Sequence, residues 1–129
     1  MLSRDEILKV DDIRYEEVEV PEWGGTVRVR GMSGAERDAF EGSVVEQRGK
    51  KTAVNTRNLR AKLVAKSIVD GAGKRIFDDG DVEALGQKSA AALNRVFEVA
   101  QRLSGLSDED MEELEKNSGS DQSDGSISV

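Results

Sequence analysis

Ser89-Ala90-Ala91-Ala92-Leu93-Asn94-Arg95-Val96-Phe97-Glu98-Val99-Ala100-Gln101-Arg102-Leu103-Ser104 decides the fold class. Ala90, Leu93, Val96, Phe97, Ala100 and Leu103 recur at three- and four-residue steps, the strongest periodic signal in the chain. That spacing sets one apolar stripe on a helix of 3.6 residues per turn. Gly105 follows as the residue that ends it. A helix of this length needs a face to lie on, so the rest of the chain is read for what covers it.

On the C-terminal side, Ser107-Asp108-Glu109-Asp110 caps a last helix over about 108–116, with Met111 and Leu114 on one side. From Asn117 to Val129 the chain is mostly Ser, Gly and Asp and is expected to be a disordered polar tail. On the N-terminal side, Asp78-Asp79-Gly80-Asp81 opens a short helix, about 79–85, that carries Val82 and Leu85 and closes at Gly86. Lys74-Arg75-Ile76-Phe77 is expected to be extended, inserting Ile76 and Phe77 into the core. A turn at Asp70-Gly71-Ala72-Gly73 precedes it. A helix over about 56–69 has Leu59, Leu63, Val64 and Ile68 as its stripe and Arg60, Lys62 and Lys66 as its wet face.

Ser33-Gly34-Ala35-Glu36 has the form of a capping box. It opens a helix over about 34–47, with Ala35, Ala39, Phe40 and Val44 inward and Gly49 ending it; Arg48-Gly49-Lys50-Lys51-Thr52 is a basic loop. Further back, Ile13-Arg14-Tyr15-Glu16-Glu17-Val18-Glu19-Val20 alternates, but its phase slips at Glu16-Glu17, which a β-bulge would correct. Pro21-Glu22-Trp23-Gly24-Gly25 is a turn, and Thr26-Val27-Arg28-Val29-Arg30 alternates cleanly. The expected fold is α+β: a mainly helical domain over 11–116, with an N-terminal hairpin over 13–30. Residues 1–10 form an N-terminal segment.

The totals narrow the chemistry. In 129 residues there is no His and no Cys, which removes disulfides, zinc–thiolate sites, Cys nucleophiles and His general bases. The lack of Cys fits a reducing compartment. Aromatics are 4%, so the core must be aliphatic, and charged residues reach 35%. No apolar run has the length of a signal peptide or of a membrane span, which sets the expected location in the cytoplasm. The net charge of −7 is segregated: Arg28 to Arg75 carries 12 basic residues against 5 acidic, and the remainder is strongly acidic. Such segregation allows the ends to fold against the middle, or copies to associate head to tail.

No enzyme signature emerges. Asp78, Asp79, Asp81 and Glu83 lack calcium-loop spacing, and acids at a helix start are explained by the helix dipole. The glycine-containing turns fit no phosphate-cradling pattern. No cofactor and no metal are expected. The basic stretch 48–66 offers a nucleic-acid reading, but no aromatic residues are interleaved for base stacking. Trp23, at the hairpin turn, either anchors a partner or covers the base of the sheet, and Met111 and Leu114, on a short acidic helix, either meet a partner or dock back on the domain.

Three segments resemble tail assembly chaperones of long-tailed (siphovirus-type) bacteriophages. The first is Val29-Arg30-Gly31-Met32-Ser33-Gly34-Ala35-Glu36-Arg37-Asp38-Ala39-Phe40-Glu41. The second is Ala61-Lys62-Leu63-Val64-Ala65-Lys66-Ser67-Ile68-Val69-Asp70, with Gly73-Lys74-Arg75-Ile76-Phe77. The third is Asp81-Val82-Glu83-Ala84-Leu85-Gly86-Gln87-Lys88-Ser89-Ala90-Ala91-Ala92-Leu93, with Leu103-Ser104-Gly105-Leu106-Ser107. The resemblance spans roughly Asp11 to Asn117 and rests on the order of several diffuse motifs. The chain departs from it at Ala72-Gly73, where relatives often carry a more acidic turn.

The resemblance implies a non-enzymatic chaperone of the host cell cytoplasm that binds and solubilises the tape measure protein. It implies that tail tube subunits are then recruited, that the chaperone is absent from the mature virion, and that a longer form arises by ribosomal frameshift. The alternatives are a small nucleic-acid-binding accessory protein using 48–66, or a structural tail or head-completion component.

Overall fold

In the computed structural model, residues 1–48, 51–54 and 58–114 are described. The chain runs α1 (Arg4–Lys9), β1 (Tyr15–Val20), a 3-10 turn (Pro21–Trp23), β2 (Gly25–Arg30), α2 (Gly34–Val44), β3 (Val45–Arg48) and β4 (Lys51–Val54). It continues with α3 (Leu59–Ser67), β5 (Ile68–Val69), a 3-10 turn (Asp79–Asp81), α4 (Val82–Gly86) and α5 (Ala90–Leu103). A last helix, α6, starts at 108 and is described to 114. The architecture is the expected α+β arrangement, mainly helical with an N-terminal hairpin. The expected tail, 117–129, lies outside the described residues.

β1 and β2 pair antiparallel in one unbroken register, from Tyr15↔Arg30 to Val20↔Gly25, so there is no bulge. The strand starts at Tyr15, which stays on the outer face with Glu17 and Arg28, so the two apolar parities of 13–20 are not brought to one face. Val18 and Val20 are buried together with Val29 of β2. Glu17 faces Arg28 on the opposite side, an opposite-charge cross-strand pair. There the Arg28 guanidinium lies 4.4 Å from the Tyr15 ring centre.

α5 packs on both strands and on α3, and is thereby the centre of the core. Its Ala92, Leu93, Val96, Phe97 and Ala100 are buried. Ala90 lies exposed in the first turn, where the neighbours do not reach, and Leu103 is half-buried. The Ser89 hydroxyl caps the helix by accepting from Ala92 N–H at 3.2 Å. Gly105 follows at φ +71, a left-handed conformation that glycine adopts without strain.

α3 is more deeply sunk than its stripe suggests: Ala61, Ala65 and Ser67 are buried along with Leu59, Leu63 and Val64. The small side chains let α3 lie between neighbours on several sides, and the Ser67 hydroxyl is satisfied by donating to Leu63 C=O at 2.8 Å. The helix ends two residues before the expected Val69. Ile68 and Val69 instead form β5, which pairs with β2 at Val29↔Ile68 and Arg28↔Val69. Two β-branched residues beside an open strand edge gain a ladder that a frayed helix end could not offer.

α2 begins at the expected capping box: Glu36 N–H donates to Ser33 Oγ at 3.2 Å, and Ser33 N–H to Glu36 Oε1 at 2.7 Å. It ends at Val44 instead of Gln47. Val45–Arg48 becomes β3, paired antiparallel with Lys51–Val54 as β4, where a basic loop was expected. Val45, Thr52 and Val54 favour the extended state, and Gly42 weakens the end of the helix. Phe40 and Val44 are fully buried, whereas Ala35 and Ala39 face solvent. Of the two residues expected to enter the core from 74–77, Phe77 is half-buried and Ile76 is exposed. Ile76 N–H donates to Ile68 C=O at 3.3 Å, and the side chain points away from the core.

The hairpin, α2 and the α5–α6 corner meet at Gly31. Its N–H donates to Arg14 C=O at 2.9 Å, and a side-chain carbon here would stand 2.4 Å from the Leu103 carbonyl oxygen. Only glycine permits that approach. The next residue, Met32, is buried and donates its N–H to Ser104 Oγ at 3.0 Å. Arg37 of α2 completes the corner, donating to Gly105 C=O and lying 3.4 Å from the Asp110 carboxylate at the start of α6.

Candidate functional site

The titratable groups that shift do so for structural reasons. Bonds from the Ser107 backbone and hydroxyl hold Asp110 below the ordinary Asp range. The Arg95 guanidinium, in a forked pair with the carboxylate, lowers Glu22. Backbone N–H groups of Lys74 and Ala72 lower Asp70 in its turn. The Asp78 and Asp81 carboxylates are taken up as a reciprocal cap, accepting from Gly80 and Asp78 N–H at 2.9 Å each. Among the described residues, no three acids or other ligating side chains converge to hold a metal.

The larger feature is a groove of about 890 Å³ between the start of α3, α5 and α6. Its floor is Leu59, Ala61, Leu93, Phe97 and Met111, and its rim carries Arg60, Lys88, Asp108 and Glu112. The Arg60 guanidinium sits 5.4 Å from the Phe97 ring centre, and Gln101 Nε2 donates to Asp108 Oδ1 at 2.7 Å. The entrance to α3 is set by Asn58, at φ +57, whose amide donates to Glu83 at 3.0 Å. Apolar side chains at the floor and charges of both signs at the rim frame the groove.

A second cleft, of about 440 Å³, lies between the hairpin turn and α4. Trp23, Phe77, Ala84 and Leu85 line it, with Glu22, Asp81 and Lys88 around them. Trp23 is half-buried against the core, and its indole N–H is buried without a hydrogen-bond partner. Trp23 sits on the turn because Pro21 starts the 3-10 turn and Gly24 closes it in a left-handed conformation.

The residues singled out for partner contact thus fall at two places. Trp23 lines the second cleft. Met111 lines the groove while being 7% exposed, and Leu114 packs half-buried beside it, so α6 is docked on its own domain through these two side chains. Lys88 lies on the wall of both features. Of the basic stretch 48–66, the described side chains are Arg60, on Phe97, and Lys62 and Lys66, both half-buried on α3. Residues 49, 50 and 55–57 lie outside the described residues.

The groove was hidden in the sequence because Leu59, Leu93 and Phe97 look like ordinary core. Their flanks open only because α3 and α6 cover different parts of α5. A further exposed surface lies at α1. Ser3 and Glu6 have capping-box spacing, and Leu2, Ile7 and Leu8 stand exposed at and beside the helix. Among the described residues, no helix is long and apolar enough to cross a membrane.

No curated protein matches the chain. Among solved structures, the chain is similar to the tail assembly chaperone of bacteriophage HK97, at 21% identity and a TM-score of 0.50, over 70% of this chain and 85% of that one. At that identity the likeness concerns the fold. The model of the phage tail assembly chaperone family matches residues 6–117, which takes in every element from β1 to α6. The chain belongs to the phage tail assembly chaperone family.

Proposed function

We propose that this protein binds the tape measure protein of its phage in the infected cell, keeps it soluble, and helps bring tail tube subunits to it. The role is non-enzymatic. The observation that carries this reading is the groove along α5, whose apolar floor suits one face of an amphipathic helix. A long helical client exposes apolar stripes that aggregate until a tube encloses them. Covering them with many modest contacts, on a carrier of net charge −7, keeps the complex soluble and releasable. Trp23, Met111 and Leu114 are proposed as contact residues, with α6 shifting along α5 to admit the client. Release before completion would leave the chaperone out of the virion. A longer product, made by frameshift near the end of this sequence, would accompany it, and copies of the chain would associate along one client.

Co-expression with the tape measure protein tests the proposal. The expected result is a soluble client that co-elutes with the chaperone on a sizing column. An insoluble client with the chaperone eluting alone defeats it. Peptides of this chain recovered from purified virions by mass spectrometry would point instead to a structural tail component.

A further inference from the structure

The two walls of the groove along α5 carry opposite charge. Arg60, at the start of α3, and Lys88, in the turn before α5, stand on one wall; Asp108 and Glu112 of α6 stand on the other. All four are exposed. Elsewhere on the surface opposite charges find each other: Arg30 with Glu36, Arg95 with Glu22, Arg102 with Glu16. Here they do not. Among the described residues, Arg60 touches the Phe97 ring and Asp108 accepts from Gln101, both neutral, while the Lys88 and Glu112 side chains meet no partner at all. The groove holds the two signs apart.

The floor decides little between clients. Its apolar residues are at most 7% exposed, so any apolar stripe gains a similar, modest amount there. Choice falls to the walls. A helix lying between them brings one flank of its stripe against Arg60 and Lys88 and the other against Asp108 and Glu112. Acidic residues on the first flank and basic residues on the second are attracted, whereas the reverse set meets like charge, which is costly at an interface. Turning such a helix end for end swaps its flanks, so the same four charges also fix the direction in which it runs. A second copy has no such helix to offer among its described residues. The stripes of α2, α3 and α5 are buried in the core, Met111 docks α6 on α5, and α1 and α4 are six and five residues long.

We infer that the groove selects a client helix whose apolar stripe is bordered by acidic residues on one side and basic residues on the other, and holds it in one direction. The inference rests on the proposed chaperone reading and adds the chemistry of the segment bound. Arg60, Lys88, Asp108 and Glu112 are the residues that choose it.

The test uses the full chain. Lys88→Glu and Glu112→Lys each reverse charge on one wall, and are compared with Lys9→Glu and Glu113→Lys, which change the net charge equally outside the groove. All four positions are exposed, so melting temperatures should match the parent. In titrations with the tape measure protein, each groove variant should bind about tenfold more weakly and each control within about twofold of the parent. To read the segment itself, a benzophenone is attached at Asn94→Cys, in the groove lining and the chain's sole cysteine, and the cross-linked peptide is identified by mass spectrometry. The expected peptide belongs to the client and carries an apolar stripe with acids on one flank and bases on the other.

Groove variants that bind like their controls, while the parent holds the client, overturn the inference and leave the chaperone reading standing. So does a cross-linked client peptide whose charges are not divided between the flanks, or a cross-link to residues 115–129 or to a second copy of this chain. If the parent holds no client, the chaperone reading fails and this inference with it.

Discussion

Replacing Gly31 by alanine drives a methyl group into the last turn of α5. The added carbon would lie 2.4 Å from the Leu103 carbonyl oxygen and 2.9 Å from its carbon. Both are backbone atoms and cannot rotate away. An ordinary carbon–oxygen contact needs about 3.3 Å, so the exit of β2 and the end of α5 must part by about 1 Å. Overpacking of this kind costs about 1–3 kcal/mol. The same movement stretches the neighbouring buried bond from Met32 N–H to Ser104 Oγ, now 3.0 Å, which adds about 1 kcal/mol. A total of about 2–4 kcal/mol lowers the melting temperature of a domain this size by roughly 8–16 °C. Thermal unfolding followed by far-UV circular dichroism reads it directly. Gly34→Ala is the control, because nothing lies within 4 Å of its added carbon. It should melt at or slightly above the parent temperature. A Gly31→Ala protein melting within about 2 °C of the parent would show that the corner yields freely, and the packing argument would be refuted.

Other expectations follow from neighbouring contacts. Ser104→Ala leaves the buried Met32 N–H without a partner and should lower stability by about 1–3 kcal/mol, seen as a lower urea midpoint at unchanged slope. Arg102→Ala removes a pair to Glu16 at 2.9 Å whose members are 60% and 41% exposed, so the loss should stay within about 1 kcal/mol and shrink in salt. Glu36 is pushed up by partial burial, but bonds from Ser33 N–H and the Arg30 guanidinium outweigh this and hold it below 4.5. A carboxylate depressed in the folded state contributes stability above its unfolded pKa and loses it as pH falls through the folded value. Urea midpoints should therefore fall as pH drops below about 4.5, and Glu36→Gln should flatten that fall; equal slopes would count against the Ser33–Arg30 contacts.

What could be read from the sequence was what local chemistry dictates. The helix starts at Ser33, Asp78 and Ser107 are each fixed by a carboxylate three residues on that accepts from the cap N–H, and a pattern that local survives inspection of one chain. The α5 stripe was legible because long periodic signals leave one solution. Three features escaped because their reasons are not local. β5 exists because β2 has an open edge nearly forty residues earlier, and no pattern in Ile68-Val69 announces it. The β3–β4 pair depends on competition between a weak helix end and a strand partner, and the basic residues obscured the β-branched ones. Ile76 looked like core because it is large and apolar, and only the path of the chain after β5 turns it outward. As for the site, Trp23 and Met111 stood out by type and place. The groove itself is a product of how three helices overlap, which no single segment encodes.

The two residues of β5 also set a timetable. Among the described residues, every other strand pairing joins strands adjacent in the chain: β1 with β2, and β3 with β4. A nascent polypeptide leaving the ribosome can form its hairpin and α2 well before residue 68 emerges. The three-stranded sheet closes only when Ile68 and Val69 arrive, and α5 reaches the inner face of that sheet later still. Until then Val18, Val20 and Val29 have no cover, so the half-made protein is at its stickiest midway through synthesis.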